Sequence, residues 1–79
     1  MTSFASASDT DIAIQLIRAY MARHPPAADT LEGVAQWWLA GQFPQDIVAA
    51  ALARLRAAGE LECLVPGGRE VWRRHRADA

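Results

Sequence analysis

The side chains able to do chemistry are few in this 79-residue chain, and their spacing scatters them. His24 precedes a Pro pair and His75 sits among arginines; neither belongs to a cluster of metal-ligating residue types. Cys63, the single cysteine, lies on an alternating apolar run and reads as a small buried hydrophobe rather than a nucleophile. Ser3, Ser6 and Ser8 fall in a Ser/Ala stretch with no base to activate them. Asp9 and Asp11 point apart at the start of a helix, where capping accounts for both. Val65-Pro66-Gly67-Gly68-Arg69 has the glycines of a phosphate-binding loop, but no helix follows to offer its N-terminus, so it reads as a hairpin turn. No catalytic constellation, cofactor or metal site is expected. Two residue types remain that serve binding. Arginine pairs with phosphate or carboxylate, and tryptophan and arginine both anchor protein interfaces.

The elements that must position these residues belong to one small domain. Hydrophobic residues make up 52%, which excludes a disordered chain, but seventeen of them are alanines that bury little area each. The rest can build one core, with no cleft between domains. That core has no room for a small-molecule pocket of the usual order of several hundred Å³. A lone cysteine rules out an internal disulfide and fits a reducing cytoplasm. No apolar run approaches the roughly 18 residues that span a membrane. Met1–Ser8 lacks Lys and Arg and reads as a flexible tail rather than a signal peptide. The formal charge is −1, unevenly spread. Residues 1–53 hold two arginines against five carboxylates, a balance of −3; residues 54–79 hold six against four, a balance of +2.

Within residues 9–75 the pattern predicts three helices and a hairpin, with residues 76–79 as a C-terminal tail. The first helix runs from about Thr10 to His24. Ser8 and Asp11 are spaced as a capping box, and Pro25-Pro26 ends the helix. Ile12, Leu16, Ala19 and Arg23 share one line, with Ala13, Ile17, Tyr20 and Met21 beside it, a broad stripe suited to packing on two neighbours. A second helix starts with Asp29 as N-cap and turns Leu31, Val34, Ala35 and Trp38 inward, leaving Trp37 about 100° away. Gly41 is a left-handed stop. The third helix runs from Pro44 to Ala58, with Val48, Ala51, Leu52 and Leu55 as its core line and Phe43 plugging the junction. After Gly59 the period changes to two, and Leu61–Val65 and Arg69–Arg73 read as strands around a Gly-containing turn.

Three helices followed by a β-hairpin is a mainly α, α+β order, and it resembles a winged helix-turn-helix domain. The strongest local match is Leu52 and Leu55 followed by Gly59 and Leu61, which is similar to the recognition helix of that superfamily running into its first wing strand. The resemblance implies that the third helix is the recognition helix and that Leu61–Arg73 is the wing. It covers about residues 10–75. It does not settle function, because winged helices bind both DNA and proteins.

For DNA, Gln45 stands where it can read a base, Arg54 and Arg56 come late in the helix, and Arg69, Arg73, Arg74 and Arg76 form a cluster suited to phosphates. Asp46 would repel those phosphates, and Ala49, Ala50 and Ala53 can at best touch thymine methyls. For a protein partner, the flat face of Ala49, Ala50 and Ala53 permits close approach, and Trp37 and Trp72 are the anchors, rimmed by arginine. Protein docking, as a regulator or assembly factor, is therefore the favoured reading. DNA binding in transcription regulation is the alternative. A homodimer pairing exposed Trp or Ala faces is a third option. No membrane or small-molecule partner is expected.

Overall fold

The computed structural model describes residues 8–75. The expected tails therefore lie outside the described residues, except for Ser8. Ser8 caps the first helix, α1, which runs Asp9–Arg23. Its Oγ accepts the Asp11 N–H at 3.1 Å and the Asp11 carboxylate accepts the Ser8 N–H at 3.3 Å, the reciprocal capping box that the spacing predicts. His24 closes α1 by donating its N–H to the Tyr20 carbonyl, and the Pro pair stops the ladder there.

A short strand follows, β1 at Ala28–Asp29. Helix α2 then begins at Leu31–Gly33 and widens into a π-helical turn over Val34–Trp38. Its cap is Thr30, whose hydroxyl accepts the Gly33 N–H at 3.1 Å. This corrects the expectation of an Asp29 cap. Pairing of β1 with a later strand holds Asp29 extended one residue too early, and its carboxylate accepts only the adjacent Thr30 N–H. The wide turn, in which Leu39 donates to Val34 at 3.0 Å, lets Trp38 and Leu39 both face inward. The indole of Trp38 stacks on Tyr20 with ring centroids 4.9 Å apart and an interplanar angle of 11°.

Helix α3 spans Gln45–Ala57 with Pro44 as its N-cap residue. Val48, Ala51, Leu52 and Leu55 are all buried, as the core line requires. The helix ends in a Schellman motif: Glu60 donates to Leu55 and Gly59 to Arg56, with Gly59 at φ +79°. The chain then enters β2 (Leu61–Leu64), passes a tight turn at Pro66–Gly68, and returns as β3 (Val71–Arg74). The hairpin is antiparallel, with Cys63 opposite Trp72 and Glu62 opposite Arg73. Strand β1 joins the other edge of β3, so the sheet has three strands in the order β1-β3-β2. Two residues of β1 carry too little pattern to be read as a strand in advance.

The architecture is therefore α+β and mostly helical, compatible with a winged helix. Its core is formed by α1, α2 and α3, closed at the sheet by Leu61 and Trp72. Two burial expectations are corrected. On α1 the core takes Ala13, Ile14, Ile17 and Met21, while Ile12 and Leu16 are exposed. Trp72, expected on an uncovered wing, is only 9% exposed and packs into the core. The three-stranded sheet turns the Trp72 face of β3 toward the helices and the Arg73 face outward.

Candidate functional site

Among the described residues the most exposed large hydrophobic side chain, Trp37, lies where α2 hands over to α3. Ala40 and Gly41 both take left-handed conformations, at φ +56° and +70°, and reverse the chain sharply. Gly41 donates to the Ala35 carbonyl at 2.8 Å, tying the turn to the end of α2. Phe43 is half-buried against the core and plugs the junction as expected. This geometry leaves Trp37 at 69% exposure, directly beside the start of α3.

A groove runs along this junction. Trp37, Phe43, Pro44 and Gln45 line one part of it, and the carboxylates of Asp29 and Glu32 line another. Among the described residues, no arginine lines it. Asp46 is exposed in the first turn of α3, and its Oδ1 accepts the Ile47 N–H at 2.9 Å. The start of α3 is therefore acidic and aromatic. Gln45, Ala49, Ala50 and Ala53 are exposed on the outer side of α3.

Trp37, Ala49, Ala50 and Ala53 are each exposed, whereas Trp72 is buried and leaves that group. Trp72 lies on the core face of the sheet and presents no docking surface. The sequence reading also missed Glu32 and Gln36, which share the groove with Trp37. The four-residue spacing of Glu32 and Gln36 is the signal that both face the same side.

Three of the arginines are held in ion pairs with carboxylates. Arg54 Nη1 pairs with Asp11 Oδ1 at 3.1 Å, and Arg73 donates to the Glu62 carboxylate, which His75 also approaches at 3.2 Å. Arg18 makes a two-pronged pair with Glu60 at 2.8 and 2.6 Å. The hydrogen bond from Arg73 is the main reason that Glu62 titrates below the ordinary carboxylate range, as that from Arg18 is for Glu60. Hydrogen bonds with Ser8 do the same for Asp11, with a smaller contribution from Arg54. Arg56, Arg69 and Arg74 are exposed, and among the described residues no carboxylate lies within ion-pair distance of them. Arg76 lies outside the described residues. Among those residues, no cluster of His, Cys, Asp and Glu is arranged to hold a metal ion. Cys63 is half-buried against the core. Among the described residues, no helix is long and apolar enough to cross a membrane.

Comparison with protein-family models, with curated proteins and with solved structures found no match for this chain.

Proposed function

We propose that this chain is a small winged-helix binding module that performs no chemistry of its own. It docks onto a protein partner, as a regulator or assembly factor, through Trp37 and the Ala49, Ala50 and Ala53 face of α3. The observation that carries this reading is the 69% exposure of Trp37 beside the start of α3. An indole held in water on a rigid element gains much from burial against a partner, at little cost in conformational entropy. The acidic rim of Asp29, Glu32 and Asp46 lies where a DNA reader needs cations, and supports a protein partner over a phosphate backbone.

Affinity capture with the full chain as bait tests this directly. Trp37→Ala and Ala50→Glu should each lose the captured partner while the helical circular dichroism spectrum is kept. Capture retained by both variants would sink this surface.

A second reading, DNA binding, draws on Arg56, Arg69 and Arg74, which are exposed and unpaired among the described residues. Fluorescence anisotropy with mixed-sequence duplex at low and near-physiological salt separates the two readings. The protein-docking reading expects little binding in either condition. Tight binding that falls steeply with salt, and is reduced by Arg69→Ala with Arg74→Ala, would favour DNA.

A further inference from the structure

Helix α1 carries a second apolar line that the core does not use. Asp9, Ile12, Leu16, Ala19 and Arg23 are all exposed. At 3.6 residues per turn they fall within about 80° of one another around the helix. The core side of α1, marked by Ala13, Ile17 and Met21, lies well away from this line. Ile12 and Leu16 are 42% and 39% exposed, an apolar pair left facing water on a regular helix. The pairs of Asp11 with Arg54 of α3 and of Arg18 with Glu60 lie well round the helix from this line, and the stack of Tyr20 on Trp38 of α2 borders it, about 40° from Leu16.

The order of residues along this line is self-complementary. Leu16 is its centre, with Asp9 seven residues before it and Arg23 seven after. Ile12 lies one turn toward the N-terminus and Ala19 one turn toward the C-terminus. Neither Asp9 nor Arg23 has an ion-pair partner among the described residues. Two such helices laid antiparallel about a two-fold axis at Leu16 bring Leu16 onto Leu16. They also set Ile12 against the small Ala19 and bring Asp9 to Arg23 at both ends. Isologous contacts of this kind repeat each pairing twice. A parallel arrangement would instead oppose Asp9 to Asp9 and Arg23 to Arg23.

We propose that this chain forms a two-fold symmetric homodimer through antiparallel pairing of α1, centred on Leu16 and closed at each end by an Asp9–Arg23 ion pair between copies. The helix is about 22 Å long at 1.5 Å per residue. One helix pair of that length buries less than the ~1,600 Å² of a standard stable interface, so the dimer is weak and concentration-dependent. The surface shares no residue with the Trp37 face.

Sedimentation velocity on the full chain, from about 10 µM to about 1 mM, covers the range of weak complexes. The wild-type chain should shift from monomer to dimer across it, and Leu16→Glu should stay monomeric with an unchanged helical spectrum. Asp9→Lys and Arg23→Glu should each weaken association by about tenfold or more. Their equimolar mixture should recover wild-type association, because the heterodimer places Lys against Glu at one end and the native pair at the other. A merely structural effect of either substitution would not be rescued by mixing. A monomeric wild type at the highest concentration would overturn the proposal, as would dimerisation of Leu16→Glu at the wild-type level. Failure of the mixture to recover association would overturn the antiparallel register.

Discussion

Ala40 is held at φ +56°, a left-handed conformation that costs a residue with a Cβ about 1–2 kcal/mol. Ala40→Gly removes that strain and adds some unfolded-chain entropy. The expected net gain is about 0.5–1 kcal/mol, read as a higher urea midpoint with an unchanged slope. The tryptophans make the sharper contrast at this scale. Trp72→Ala empties a core position 9% exposed and should cost about 3–5 kcal/mol, enough to unfold much of a domain this small. Trp37→Ala removes a side chain 69% exposed and should change stability by less than about 0.5 kcal/mol. Urea titrations of the two variants check both figures. A large loss in Trp37→Ala would place that indole in the core rather than on a docking surface.

At the scale of elements, the entry to α2 is built from three residues that depend on one another. Thr30 caps the helix, and the Asp29 carboxylate lies over Gly33. A Cβ on Gly33 would stand 1.8 Å from Asp29 Oδ1 and 2.1 Å from its Cγ. Gly33→Ala must therefore swing Asp29 away and break its hydrogen bond to the Thr30 N–H. That substitution should destabilise the wild-type chain. In an Asp29→Ala background it should instead stabilise by up to about 1 kcal/mol, the helix preference of Ala over Gly. The double-mutant cycle reads this coupling, and additive effects would refute it. Thr30→Ala should cost about 1 kcal/mol, a loss that a cap at Asp29 would not produce. The same comparison shows why this cap was not legible in advance. Both Asp29 and Thr30 are good caps, and only the pairing of Asp29 with Trp72 in the sheet decides between them.

Across the whole molecule, carboxylates link distant elements. Asp11 joins α1 to α3 through Arg54, Glu60 joins the entry of β2 to α1 through Arg18, and Glu62 joins the two hairpin strands through Arg73. Each carboxyl titrates below its ordinary value in the folded chain, chiefly through the hydrogen bonds it accepts. A lowered folded value means the unfolded chain binds more protons in that range. The contribution to stability is therefore present above the ordinary carboxylate range of about 4, and is lost as pH falls through the folded values. The melting temperature should drop as pH is taken below about 4. The triple variant Asp11→Asn, Glu60→Gln, Glu62→Gln should show a flatter profile over that window. An identical profile would mean that these pairs are too well solvated to matter.

The sequence by itself determined the features that close within a turn or two of chain. The Ser8–Asp11 box, the proline stop after His24, the Val48–Leu55 core line and the glycine stop at Gly59 all stand where their spacing places them. Capping and helical periodicity act over three or four residues, so local order suffices to read them. The hairpin was legible for the same reason. Trp37 was legible as an outward residue because Trp38 lies about 100° from it and belongs to the core. Tertiary structure alone decided which of two apolar lines on α1 is buried, because both have helical spacing and only the positions of α2 and α3 choose between them. It also decided that Trp72 faces the core and that β1 completes the sheet. The pairing of Arg54 and Arg18 belongs to the same class. Their partners lie 43 and 42 residues away, and no local pattern brings such residues together.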